Sequence, residues 1–245
     1  MSASAVAPSV TASPGTVQQP LDLSWKSINP LAALHLPANT GRLVVVAPHP
    51  DDETLGAGGL MHDLAKRGWD VQVVVASDGS ASHPGVGKLA ALRAREVARA
   101  CRILGVTQPP LLLNFPDGAV GAHHEALTRE LLPLVRATDI VVAPRRGDGH
   151  ADHEATALAV DDAMSVCGHE SPALWKYAIW AWERFDPNDE YFHGAFVHRA
   201  SPDAIIAKAN AINAHRSQTT SVLGDVILSP AMLARFAGPC EVFWC

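Results

Sequence analysis

Cysteine is scarce in this 245-residue chain, and Cys101, Cys167, Cys240 and Cys245 form no C-x-x-C pair. That excludes a thiolate zinc cluster and argues against a disulfide framework, so a reducing compartment, the cytoplasm, is expected. Basic clusters are also missing, and the net charge is −6. Nucleic-acid binding and attachment to an anionic membrane therefore lack electrostatic support. No apolar run approaches the length of a membrane span. The first twenty residues are rich in Ala, Ser, Val, Thr and Pro, without a basic start or a continuous apolar stretch. They do not read as a signal peptide, and residues 1–20 are expected to be a disordered tail.

Two familiar site signatures are absent as well. No Ser or Cys sits in a G-x-S-x-G elbow, so a covalent nucleophile has no support. Gly56, Gly58 and Gly59 are spaced G-x-G-G, which is not the dinucleotide-binding G-x-G-x-x-G. Acidic residues just before them would repel a pyrophosphate. The glycines are read instead as allowing close helix–sheet packing.

What the chain does contain is regular alternation, in a sequence 48% hydrophobic and long enough for a sizeable core. Residues 21–40 read as an irregular arm. Strands are expected at Arg42–Ala47 (RLVVVA), Asp70–Ala76 (DVQVVVA), Leu111–Asn114 and Asp139–Ala143 (DIVVA). Helices are expected at Leu55–Arg67, Lys88–Leu104, Glu125–Arg136 and Asp152–Val166, the third kinked or broken by Pro133. No repeat or linker interrupts this region. The expectation is one α/β domain over residues 21–245: a Rossmann-like, doubly wound, mostly parallel sheet with helices on both faces. A strand at 173–182, a helix at 203–214 and a short strand at 241–244 should complete the sheet edge and one wall of the site.

Two constellations follow strands of this pattern. The first is Ala47-Pro48-His49-Pro50-Asp51-Asp52-Glu53, after the first strand. Ligands of open parallel sheets bind beyond the carboxyl ends of strands. Three acids and a histidine gathered there are costly unless something positive neutralises them. A divalent metal would, and a His nitrogen with a carboxylate oxygen suits zinc and its borderline neighbours. Adjacent carboxylates also permit one to bind metal while the other takes a proton. A helix cap would explain one of them, but not His49 between two prolines. The second constellation is Gly147-Asp148-Gly149-His150-Ala151-Asp152-His153-Glu154, after the fourth strand. Two histidines three apart with a carboxylate between them are a credible ligand-plus-acid group. In strand order 3-2-1-4 the first and fourth strands are neighbours, and their helices leave to opposite faces. The two constellations would then meet in one crevice.

A-P-H-P-D-D-E-T-L-G-A-G-G with H-A-D-H resembles the LmbE/PIG-L family of zinc-dependent deacetylases. The similarity extends over about residues 40–220. It takes in Leu92-Arg93-x-x-Glu96, Pro116-Asp117-Gly118, Lys208 and His215-x-Ser217-Gln218, with Ala151 where the family often has proline. The resemblance implies a Rossmann-like fold, one zinc ion, and hydrolysis of N-acetyl groups, often on N-acetylglucosamine derivatives. By position it implies His49, Asp52 and His153 as zinc ligands and Asp51 as general base. It also implies His150 across the substrate carbonyl, oriented by Asp152, and Arg93 facing the substrate. The expected partner is a small-molecule or glycoconjugate substrate; a larger N-acyl or peptide-like amide is the alternative. A homo-oligomer is compatible with the sequence.

Several residues are read more plainly. Trp175, Tyr177, Trp180 and Trp182 are expected in the core, with one of them lining the pocket. His83 reads as a solvated loop histidine. His123, His124 and His193 have no partner at ligand spacing.

Overall fold

A computed structural model describes residues 32–168, 171–186 and 189–245. The expected tail and most of the irregular arm lie outside the described residues. Eight strands are present among them: β1 (Ala32–Ala33), β2 (Arg42–Ala47), β3 (Asp70–Ser77), β4 (Leu111–Phe115), β5 (Ile140–Pro144), β6 (Ala173–Tyr177), β7 (Phe196–Arg199) and β8 (Cys240–Phe243). The longer helices are α1 (Asp52–Lys66), α2 (Leu89–Ile103), α3 (His124–Arg136) and α4 (Ala151–Cys167). Shorter ones follow: α5 (Ala181–Arg184), α6 (Pro202–Ile212), α7 (Arg216–Thr219) and α8 (Pro230–Phe236).

Five strands form one sheet in the order β4-β3-β2-β5-β6, parallel throughout. This is the expected 3-2-1-4 arrangement with β6 added beside β5. The β-branched run of β2 shows why it is central. Leu43, Val45 and Ala47 pack with Leu55, Leu60 and Leu64 of α1 and Val97 of α2. Val44 and Val46 point the other way, onto Leu127 and Leu131 of α3 and Val160 of α4. All are buried. A strand apolar on both faces needs helices on both, and α1 and α4 leave β2 and β5 towards opposite layers.

Two expectations are corrected. The last strand does not extend this sheet. β8 pairs antiparallel with β7, and β1 joins them parallel, in a separate three-stranded sheet. It meets the free edge of β6 at a single bridge, Lys176 with Trp244, through backbone bonds of 2.8 and 3.0 Å. Hairpin-like pairing with β7 occupies one edge of β8, so the β6 edge is capped there rather than lengthened. Pro133 does not break its helix. α3 runs continuously from His124 to Arg136 and closes three residues beyond the proline.

The glycines of α1 let neighbouring side chains come close to the helix. A Cβ on Gly56 would overlap the ring of Tyr177, which passes beneath the helix and donates from its hydroxyl to Val46 O at 3.0 Å. A Cβ on Gly58 would stand 3.1 Å from Lys208 Cγ, and one on Gly59 3.2 Å from Glu241 Cδ. Lys208 and Glu241 form a buried ion pair of 2.7 Å. Lys208 donates to Leu55 O, and Glu241 accepts from the Gly59 and Leu60 amides at 2.7 and 2.8 Å. Both charges are thus satisfied by helix backbone as well as by each other, as buried charges require. The close packing expected of these glycines is therefore partly helix against sheet and partly helix against this ion pair.

Gly56→Ala tests this packing. On helix propensity alone alanine would gain about 1 kcal/mol. The overlap with Tyr177 reverses the sign, and we expect a net loss of about 1–3 kcal/mol in urea unfolding. A stabilised variant would show that Tyr177 does not fill the groove.

Candidate functional site

The turn after β2 is shaped by backbone strain. Asp51 has φ 156° and occupies the N-cap of α1, yet its side chain makes no capping bond. Its amide donates to His49 O at 3.0 Å and Glu53 Oε2 at 3.1 Å. A conformation this unusual for a non-glycine residue has to be held by its surroundings. The helix-cap explanation for Asp51 fails, because the carboxylate is turned away to Arg93. Arg93 Nη2 lies 3.1 Å from Asp51 Oδ1, and the guanidinium also donates to Gly79 O at 2.9 Å and Pro50 O at 3.1 Å. Gly79 sits at φ 65°, and any Cβ there would collide with Arg93. Arg93 lines the pocket with both terminal nitrogens engaged by Asp51 and the walls of the turn, while its buried Nε has no hydrogen-bond partner.

The loop after β5 presents its side chains differently. His150 is the N-cap of α4, its Nδ1 accepting the Asp152 amide at 3.2 Å. That bond leaves the proton of a neutral ring on Nε2. The carboxylate of Asp152 is taken up elsewhere. It accepts from the Gly118 and Val120 amides at 2.7 and 3.1 Å and faces His49 Nε2 at 3.2 Å. Asp152 therefore orients His150 through its amide and His49 through its carboxylate. His153 is fully buried, its Nδ1 2.7 Å from Asp148 Oδ2. Asp148 is itself anchored by the Ile179 and Ala181 amides at 3.0 and 2.9 Å.

The two loops converge on Asp52. Its Oδ2 lies 3.1 Å from His49 Nδ1 and 3.2 Å from His153 Nε2. The far nitrogen of each ring is backed by carboxylates: Asp117 and Asp152 behind His49, Asp148 behind His153. When those far nitrogens donate, the near ones hold lone pairs aimed at the Asp52 carboxylate. Both near nitrogens then present lone pairs to one carboxylate oxygen, an arrangement a divalent cation would resolve. A carboxylate behind each imidazole is the usual support of a metal-bound histidine. Two triads, His49 with His150 and His153, and His49 with Asp117 and Asp152, place one ligand atom each within 4.8 Å of one another. The donor chemistry fits zinc.

Charge at this edge is distributed unevenly. Burial pushes the Glu53 carboxyl up to about 8, so this acid is neutral at pH 7. Burial likewise raises Asp51 to about 7, against the pull of the Arg93 guanidinium. Burial opposes charge on Asp52 too, but His153 and His49 hold it well below the ordinary range. Desolvation lowers His150, and charge on His49 and His153 lowers it further.

The GlcNAc-PI de-N-acetylase (PIG-L) family profile matches residues 44–164. A probable N-acetyl-alpha-D-glucosaminyl L-malate deacetylase of Bacillus cereus is 30% identical over 201 residues, 75% of this chain and 86% of that protein. The chain belongs to the PIG-L/LmbE family. A 1D-myo-inositol 2-acetamido-2-deoxy-alpha-D-glucopyranoside deacetylase of Rhodococcus jostii is 28% identical over 58% of this chain and 60% of its own length. A conserved protein of Thermus thermophilus has the same fold, with TM-score 0.64 and 27% identity over 83% of this chain and 93% of its own. As a PIG-L/LmbE member the chain is an enzyme, a hydrolase of carbon–nitrogen bonds other than peptide bonds.

Within this PIG-L/LmbE site, three features escaped the residue-level reading. Asp148 carried no assigned role, although its place two residues before His150 was visible. Asp117 was seen only as part of a Pro-Asp-Gly turn; it lies 3.2 Å from His49 Nε2. His83 is not solvated. It is buried, and its Nε2 donates to Asp225 O at 2.9 Å, a contact 142 residues away that no local pattern reveals. The pocket encloses about 250 Å³, and Trp180 is the member of the aromatic group that lines it.

Asp148→Asn isolates the backing of His153. The amide keeps an oxygen for the Ile179 and Ala181 bonds but no longer supplies a charged acceptor to His153. Zinc affinity, measured by competition with a chelating dye, should fall about 10- to 100-fold. Unchanged affinity would remove Asp148 from the support of the site.

Proposed function

We propose that this chain is a zinc-dependent hydrolase that removes the N-acetyl group from an N-acetylglucosamine-like substrate, in solution in the cytoplasm. The observation that carries the reading is the approach of His49 and His153 to the same oxygen of Asp52, with Asp51 beside it and paired with Arg93. The relatives named above act, by their names, on N-acetylglucosaminyl compounds. No described helix is long and apolar enough to cross a membrane.

His49, Asp52 and His153 would hold the metal and leave a coordination position open, the pattern of catalytic rather than structural sites. When bound there, zinc polarises the amide carbonyl and lowers the pKa of water from about 16 towards about 7. Asp51, buried beside the proposed ligands and outside their set, would take a proton from the attacking water. Its pairing with Arg93 fixes the direction of the carboxylate without removing its second oxygen from the pocket. His150, neutral and protonated on Nε2, donates to the carbonyl oxygen as negative charge grows on it. The proton held by Asp51 then passes to the departing amine. Arg93 acts through Asp51 in this reading, rather than on the substrate alone.

Metal analysis of the purified chain should find about one zinc per chain, lost in His49→Ala, His153→Ala and Asp52→Ala. Asp51→Asn should keep its metal while acetate release from N-acetylglucosamine compounds falls roughly a hundredfold. Metal loss in Asp51→Asn with retention in Asp52→Asn would reverse the two roles.

His150→Ala should lower kcat for acetate release by roughly a hundredfold, with a smaller change in KM and normal metal content. Near-normal kcat would leave His150 as a helix cap only.

A further inference from the structure

Asp51 keeps a positive-φ backbone that a non-glycine residue disfavours, and two sets of contacts hold it there. Arg93 takes the carboxylate. The amide is held separately, by a chain of buried side chains that ends in a distant segment. Glu53 Oε2 accepts the Asp51 amide at 3.1 Å. Glu53 Oε1 accepts the Thr54 hydroxyl at 2.6 Å. His215 Nε2, 161 positions further along the sequence, lies 3.2 Å from that hydroxyl oxygen. Glu53, Thr54 and His215 are each at most 1% exposed, and none of the three lines the pocket. Their reach ends at the Asp51 backbone.

The count of protons gives this chain a direction. A threonine hydroxyl has one proton, and Thr54 gives it to Glu53. Its oxygen is left as an acceptor towards His215, so the proton of the neutral imidazole lies on Nε2. Burial, and next the Arg93 guanidinium, lowers the ring to about 3, and it is neutral at pH 7. Nδ1 makes no hydrogen bond and is then a bare lone pair rather than a stranded donor.

His215 is itself fixed. It immediately precedes α7, where Ser217 donates from its amide and its hydroxyl to the two oxygens of Glu96 at 2.8 and 2.6 Å. Glu96 follows Arg93 by one turn of α2, so both lie on one side of that helix. α2 therefore supports Asp51 twice. Arg93 takes the carboxylate directly, and Glu96 sets the segment whose histidine reaches the amide through Thr54 and Glu53.

We propose that His215 is a positioning residue for Asp51. Through Thr54 and Glu53 it holds the Asp51 backbone in the conformation that turns the carboxylate to Arg93, instead of onto the α1 amides that an N-cap aspartate would take. That Asp51 accepts a proton rests on the hydrolase reading above; the brace on its backbone rests on the hydrogen bonds alone.

Hydrogen exchange at the Asp51 amide, followed by NMR on the purified chain with zinc added, reads the brace independently of activity. Thr54→Val removes the hydroxyl and keeps the branched shape, and His215→Ala removes the ring. Each should speed exchange at Asp51 roughly tenfold, while the Val45 and Val46 amides of β2 keep their rates. Thr54→Ser and His215→Gln, which keep a hydroxyl and a donor, should restore most of the protection. In both Thr54→Val and His215→Ala, kcat for acetate release should fall roughly tenfold, with KM and zinc content little changed. The double variant should be no slower than the slower single one, because both changes break the same chain. Faster exchange throughout β2, or additive losses in the double variant, would make His215 merely structural and overturn the proposal. Exchange at the unmutated rate in both variants overturns it as well. Thr54→Val carries the comparison if His215→Ala does not fold. Faster Asp51 exchange in the variants of a chain that releases no acetate defeats the hydrolase reading and leaves the brace. Acetate release with unchanged exchange defeats the brace alone.

Discussion

The Asp52 carboxylate sits at the carboxyl end of the central strand between two imidazoles, and both imidazoles have carboxylates behind them. Most of the site follows from the need to keep that much acid in one buried place. Each acid is accommodated by a different physical means. Glu53 is neutral because burial raises it to about 8. Asp51 is paired with Arg93. Asp148 and Asp152 are held by pairs of backbone amides. Asp52 accepts the His49 amide at 3.0 Å and otherwise faces two imidazoles, where a cation would complete the arrangement. Removing one of these compensations would leave an uncompensated buried charge.

The same constraint reaches into α1. Asp52 opens this helix, so the position of its carboxylate depends on where the helix axis lies. Three glycines let Tyr177, Lys208 and Glu241 come against the helix at specific turns. The Lys208–Glu241 pair grips backbone groups of Leu55, Gly59 and Leu60 rather than side chains. Backbone contacts of this kind fix the helix along its axis as well as laterally. An ordinary apolar contact between helices would permit small sliding, and a metal site tolerates little of that.

Elements with strong local signals were legible in the sequence. The β2 run and the Ala/Arg/Leu pattern of α2 gave boundaries within a residue or two, and strand order placed His49 near His153 although 104 positions separate them. β8 was misassigned because pairing partners are long-range, and an apolar tetrapeptide carries no information about which edge it joins. His83 and Asp148 show the same limit in the site. Motif spacing placed His49, Asp52 and His153 on adjoining loops, because local turns carry them. Whether a loop histidine is solvated or pins a segment 142 residues away depends on tertiary contact, which spacing does not encode. The exchange of roles at Asp152 is subtler. The family resemblance implied that Asp152 orients His150, yet the helix N-terminus makes that link an amide bond and frees the carboxylate for His49.

That exchange bears on how the oxyanion is stabilised. A protonated His150 would be the stronger donor, and a carboxylate partner would favour it. Here the Asp152 amide occupies Nδ1, while burial and the neighbouring histidines lower the ring further. In the proposed mechanism the group offered to the carbonyl oxygen would therefore be a neutral Nε2–H. A neutral donor is weaker, but it adds no positive charge beside a site already meant for a cation, and its geometry is set before substrate arrives. Preorganisation of this kind is where electrostatic catalysis draws its advantage, since no dipole has to turn as charge develops. In the proposed mechanism His150 and the Arg93-held Asp51 are two fixed polar arms beside the metal position.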